Sequence, residues 1–215
     1  MQIRPINNLS FKSEICILSP QNYNKLTAEM AKDLEYKNIF EWDIGAEDNK
    51  YVKLRAHRTD SSLISTEDVR SCTLLHVIDK GKPSPLTVHA LDSKENLQNI
   101  SRLDTYVKGT NALIMGSKSE YEYSSLVFDE VEKMVNSKNI PATIFRDLNR
   151  YWQSSMAYSS KLDRIFVCIS EIMNPYNYVK NMEDLKRVFK QVKISPTDTI
   201  KFLFAEKSKV TQLLK

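Results

Sequence analysis

Two apolar runs, CTLLHVID (72–79) and PLTVHAL (85–91), lie on either side of Lys80-Gly81-Lys82-Pro83. Both runs are rich in residues that suit a pleated, half-buried surface, and the segment between them has turn chemistry. This pattern predicts a β-hairpin. A hairpin this apolar demands a sheet around it, which rules out an all-helical fold. It also brings residues distant in sequence side by side. Cys72 opens the first strand between Ser71 and Thr73, and His89, 17 positions later, stands near the end of the second.

The remaining elements follow from periodicity and punctuation. FKSEICILS (11–19) reads as a strand. Ser19-Pro20 then supplies an N-cap and a first-turn proline, and Tyr23, Leu26, Met30 and Leu34 follow at helical spacing, predicting a helix over 20–36. Residues 39–57 read as extended, with Ile39, Phe40 and Trp42 before a polar turn around Gly45. Residues 58–65 read as a loop. Ala112 to Gly116 is a short buried strand. The stripe of Val127, Val131, Met134 and Val135 predicts a helix over 120–138, closed by Asn139-Ile140-Pro141. Strands are expected at 142–145 and 164–169, a polar loop at 149–163, a helix at 179–192, and a last strand at 199–204 before a basic tail.

Strands and helices interleave irregularly, so the expected class is α+β, a layered mixed β-sheet sandwich with flanking helices. Residues 1–57 read as an N-terminal strand-helix-strand extension packed on a core at 58–172. Residues 173–215 read as a C-terminal helix and strand extension.

Several function classes are disfavoured by what the chain carries. With four glycines among 215 residues, dinucleotide and Walker-type phosphate loops are excluded. Three cysteines without paired spacing argue against a disulfide framework or a structural zinc site and fit a reducing compartment. Three scattered histidines form no metal signature. The net charge of +4 arises from well-mixed basic and acidic residues, without the like-charge blocks of a nucleic-acid or membrane arm. No apolar run is long enough to span a membrane, and the first residues do not resemble a secretory signal. A cytoplasmic location is expected; an effector exported by another route would carry the same features.

A free thiol is mostly protonated at neutral pH, and its thiolate is the nucleophile. A histidine within reach can take that proton and hand it to a leaving group, provided a third group holds the imidazole. Cys72 and His89 are the candidates for this pair, and Thr66 for the orienting group. Cys16 (EICILS) and Cys168 (IFVCIS) lie inside apolar strand runs and read as core. His76, on the strand of Cys72, reads as an ordinary histidine, and His57 in RAHR as a solvated loop residue.

The pattern T-x5-C-x16-H resembles the core of the CheD chemoreceptor glutamine deamidases, with the cytotoxic necrotizing factor deamidase toxins as more distant analogues. Thr66, Ser71, Cys72 and His89 fall on that pattern. A second stretch is also similar: Ala112-Leu113-Ile114-Met115-Gly116, a helix, Ile140-Pro141-Ala142, Asp147-Leu148, then Arg164-Ile165-Phe166-Val167. The resemblance covers about residues 60–172. Arg70 and Ser117 stand where that family has glycines.

The resemblance implies a cysteine hydrolase, a bacterial effector or signalling enzyme, acting on a glutamine side chain of a partner protein. Cys72 is the implied nucleophile, His89 the acid and base, and Thr66 its orienting group. Ser71 and Thr73 would flank the oxyanion, and neither a metal nor an organic cofactor is required. An amine replacing water would turn the same site into a transglutaminase. Tyr151, Trp152 and Tyr158 in the polar 149–163 loop are the expected substrate contacts. The alternative reading is a catalytically inactive protein-binding module of the same fold.

Overall fold

The computed structural model describes residues 13–33, 36–38, 54–58, 63–78, 86–159, 162, 164–195 and 200–204. The expected turn at 80–83, the extended segment at 39–53 and the basic tail lie outside the described residues.

In chain order the elements are β1 (Ser13–Leu18), α1 (Pro20–Asp33), β2 (Tyr36–Asn38), β3 (Leu54–Arg58), β4 (Leu63–Val69), β5 (Thr73–Ile78) and β6 (Leu86–Ala90). There follow α2 (Lys94–Asn99), which runs into a 3-10 turn (Ile100–Leu103), then β7 (Asn111–Gly116), α3 (Glu122–Ser137), β8 (Ala142–Leu148), β9 (Trp152–Ser159) and β10 (Arg164–Glu171). The chain closes with α4 (Met182–Val188), β11 (Phe189–Lys193) and β12 (Ile200–Phe204).

The strands form two mixed six-stranded sheets, ordered β12-β1-β10-β9-β4-β2 and β11-β8-β7-β5-β6-β3. The two sheets stack, and helices cover their outer faces. Side-chain alternation explains the layering. On β10, Ile165, Val167 and Ile169 point into the layer between the sheets, while Phe166 and Cys168 pack with Tyr23, Leu26 and Met30 of α1. On β5, Leu74 and Ile78 face the inter-sheet layer, while Leu75 and Val77 pack against Val127, Phe128 and Val131 of α3. Strands buried on both faces need apolar residues at every position, so these runs look continuous rather than alternating. The expected α+β sandwich with flanking helices is the observed architecture.

Segments expected to be extensions contribute strands to both sheets. β1 runs parallel to β10 on one side and β12 on the other. β3 pairs with β6, and β11 pairs with β8.

Four sequence expectations are corrected. Within the stretch expected as a polar loop over 149–163, Trp152–Ser159 is a strand held between β10 and β4. Its serines mimic loop composition, yet Ser154 and Ser159 are fully buried. The end of the stretch expected as a loop over 58–65 is strand, since β4 begins at Leu63 and runs on through Thr66. His57 belongs to β3 rather than to a loop. The helix expected over 179–192 ends at Val188, where Phe189 turns extended and pairs with Leu148. An edge position on β8 therefore overrides the helical spacing of Phe189 and Val192.

Candidate active site

The hairpin of β5 and β6 is antiparallel, with Thr73 opposite Ala90 and Leu74 opposite His89. Directly opposed residues share a face, so His89 and Leu74 point the same way. Cys72, in the bend just before β5, packs with Leu74, Val69 and Met115 in the inter-sheet layer. Continuing the register past Thr73 sets Cys72 against Leu91. His89 is then its diagonal neighbour, a placement typically about 7–8 Å apart at the backbone.

His89 is 1% exposed and Thr66 is fully buried. Thr66 Oγ1 and His89 Nδ1 lie 2.8 Å apart. This bond bridges the two sheets, because Thr66 is on β4 and His89 on β6. The β4–β9 register slips between Thr66 and Val69, a bulge that follows the threonine. Bulges of this kind bend a strand and re-aim its side chains.

Cys72 sits where two backbones meet. Its carbonyl accepts from the Ser117 N–H (3.1 Å). Gly116 adopts φ +120°, and a Cβ there would lie 2.1 Å from the Cys72 oxygen. Only glycine allows this approach. Ser117 itself has φ +66°. The Lys118 N–H donates to Ser124 Oγ (2.7 Å), and that hydroxyl donates to the Ser71 carbonyl. The 70–72 bend, the 116–118 turn and the start of α3 thus form one stitched unit. Ser71 contributes to it through its carbonyl.

Burial pushes the Cys72 thiol up to about 11, with the Asp92 carboxylate adding in the same direction; backbone hydrogen bonding at Asp92, Arg70 and Cys72 itself pulls it down. Burial pushes Cys16 and Cys168 further, to about 12 each. Both pack against α1 as core, in line with their apolar sequence context. The resting form of Cys72 at neutral pH is therefore the thiol, and a nucleophilic role for it requires a base that takes its proton.

The other expected site residues are dispersed. Thr73 is fully buried on β5, and alternation turns its side chain away from the face that Leu74 shares with His89. Trp152 and Tyr158 are core residues at 7% and 6% exposure; of the three expected substrate contacts only Tyr151, at 52%, is exposed. Tyr158 instead stacks against His76, with ring centroids 4.7 Å apart. His76 is an interior residue bonded through Nδ1 to Thr87 Oγ1 (2.8 Å), and burial lowers its pKa to about 3.

Asp92 and Lys118 also belong to the neighbourhood of Cys72. Asp92 carries a charge felt by both Cys72 and Lys118. Neither residue has a sequence signal of its own, because their placement depends on two turns converging on the 70–72 bend.

No protein-family model matches this chain, and no curated protein matches it.

Proposed function

We propose that this protein is a cysteine-dependent amidohydrolase that converts a glutamine side chain of a partner protein to glutamate. The observation that carries the reading is the buried 2.8 Å bond between Thr66 Oγ1 and His89 Nδ1, with His89 facing the same layer as Cys72. Nδ1–H donating to the threonine hydroxyl leaves a lone pair on Nε2 for proton transfer, the tautomer a general base needs.

In the reaction, His89 takes the thiol proton as the Cys72 sulfur attacks the amide carbon. Backbone N–H groups of the 70–72 bend stabilise the oxyanion. His89 returns the proton to the amide nitrogen, the C–N bond breaks, and ammonia leaves a thioester. Water, deprotonated by His89, attacks the acyl carbon. The C–S bond breaks, the sulfur regains its proton, and glutamate is released. The substrate gains one negative charge. An amine attacking in place of water would give a cross-link by the same steps. The resemblance of T-x5-C-x16-H and of residues 112–167 to the CheD deamidases favours glutamine over other amides.

A second reading, a binding module without catalysis, is favoured by the 8% exposure of Cys72 and its raised pKa. Ammonia release from a panel of glutamine-bearing proteins separates the two. Catalysis requires release by the native chain and its loss in Cys72→Ala and His89→Ala. Release that persists in Cys72→Ala, or no release from any protein that binds the chain, rejects the enzyme.

A further inference from the structure

The turn after β8 and the start of β11 enclose a cleft of about 260 Å³, lined by Arg150, Tyr151, Arg187, Lys190, Asp147 and Glu120. Two of its three cations are already matched. Lys190 Nζ lies 2.8 Å from Asp147 Oδ2, and Arg187 Nη2 lies 3.1 Å from Asp184 Oδ1. Arg150 is not matched. Its Nη2 donates to the Tyr151 hydroxyl (2.5 Å), and no carboxylate, Glu120 included, lies within ion-pair distance of it among the described residues.

The backbone that carries Arg150 is fixed on three sides. The Arg150 carbonyl accepts from the buried Lys118 ammonium (2.9 Å). The Tyr151 carbonyl accepts from the Ile172 N–H (2.7 Å), and the Asn149 N–H donates to the Val188 carbonyl (2.9 Å). A guanidinium on a rigid turn with donors to spare is preorganised for a carboxylate, which it can take through two parallel hydrogen bonds.

Lys190 belongs to β11, and β11 is an open edge. It pairs with β8 on one side and stands last in its sheet, with no strand on its other side among the described residues. Its sequence, FKQVK, has two lysines and no acid, and Lys190, Gln191 and Lys193 are exposed. Lysines on an edge keep most strands from adding to it. A strand with acidic residues opposite them is the exception, because opposite charges across a pair are favourable. Cleft and edge thus select the same occupant.

We propose that this cleft and the free edge of β11 form one docking strip for an extended acidic segment of a partner protein. The segment adds to β11 as a further strand and sets a carboxylate on Arg150. The strip shares no residue with the Thr66, Cys72 and His89 group, and it holds whether or not Cys72 is a nucleophile.

The probe is a fluorescein-labelled peptide of alternating glutamate and valine, about eight residues long, the span of a short strand. Fluorescence anisotropy reads its binding at about 50 mM salt, where charge pairing is weakly screened. Binding by the native chain should be saturable. Glutamine in place of the glutamates should weaken it by about tenfold or more. Methylating alternate amide nitrogens keeps the charge and removes strand donors, and should weaken it by a similar factor, roughly tenfold. Arg150→Gln should weaken binding of the original peptide by about tenfold and Arg150→Lys by less. Lys193→Glu, outside the cleft, should also cost about tenfold by placing like charges opposite. No binding up to about 1 mM peptide overturns the proposal. So does undiminished binding of the methylated peptide, or equal affinity for duplex DNA of the same charge, either of which leaves only a general attraction for anions. Native affinity in both Arg150→Gln and Lys193→Glu overturns it as well. The peptide and DNA arms use the native chain, so they decide even where a variant fails to fold. No turnover is read, so a chain that never releases ammonia loses the enzymatic reading and keeps the docking strip.

Discussion

Thr66 on β4 and His89 on β6 join two different sheets through a 2.8 Å hydrogen bond in a fully buried setting. The two residues lie 23 positions apart in the chain. Removing the hydroxyl strips a buried imidazole nitrogen of that bond and loosens the ring. Thr66→Val should cost about 1–3 kcal/mol of stability and lower kcat/KM for ammonia release by about ten- to hundredfold. Thr66→Ser should restore most of both. Urea unfolding and ammonia release measure the two quantities, and full activity in Thr66→Val removes the threonine from the site.

The three thiols should label in a defined order. Cys72 is pushed to about 11, Cys16 and Cys168 to about 12. At pH 7 all three are protonated, so alkylation of Cys72 should rise about tenfold per pH unit through pH 9. It should stay ahead of the other two. A rate already flat below pH 7 would mean a preformed thiolate–imidazolium pair, contrary to the burial of this site.

Gly116 is where side-chain substitution should be least tolerated. Its φ is +120°, and a methyl group would meet the Cys72 carbonyl oxygen at 2.1 Å. Gly116→Ala should cost at least about 2 kcal/mol, or a fall of roughly 4–8 °C in Tm. The displaced Cys72 backbone should also change the labelling of its thiol. A native Tm in this variant would show that the 116–118 turn can yield.

Acid should destabilise the protein through His76. The folded state keeps this ring neutral, with burial lowering its pKa from 6.5 to about 3. The unfolded chain takes up a proton near pH 6.5, so the stability contributed by the neutral ring is complete above that pH. It declines toward pH 3 by up to about 1.4 kcal/mol per pH unit. His76→Leu should remove about one proton's worth of that slope in urea titrations between pH 6.5 and 4. An unchanged slope would assign the acid sensitivity to other groups.

Much of the architecture was legible because burial on two faces leaves a plain record in composition. The continuous apolar runs of β1, β5, β7 and β10 could only be interior strands, and the stripe from Val127 to Val135 could only be a helix lying on them. The antiparallel pairing of β5 with β6, which sets Leu74 opposite His89, followed from two apolar runs flanking turn residues. Elements with polar or small residues were misread: β9 carries three serines among its eight residues, and β4 reads LISTEDV. Small polar side chains pack between neighbouring strands as readily as they populate loops, and periodicity cannot distinguish the two. The end of α4 at Val188 was equally hidden, because the vacant edge of β8 lies 40 residues upstream of it.

Taken alone, the amino-acid order determined local conformation and which short-range partners could meet: the hairpin, the helices and the placement of Cys72 at the mouth of a strand. The tertiary structure alone decided which sheet each strand joined, that Thr66 reaches His89 from the opposite sheet, and that the 116–118 turn is stitched to the 70–72 bend. Those outcomes depend on the packing of side chains far apart in the chain. Desolvation and hydrogen-bond complementarity act across space, and no window of neighbouring residues contains them.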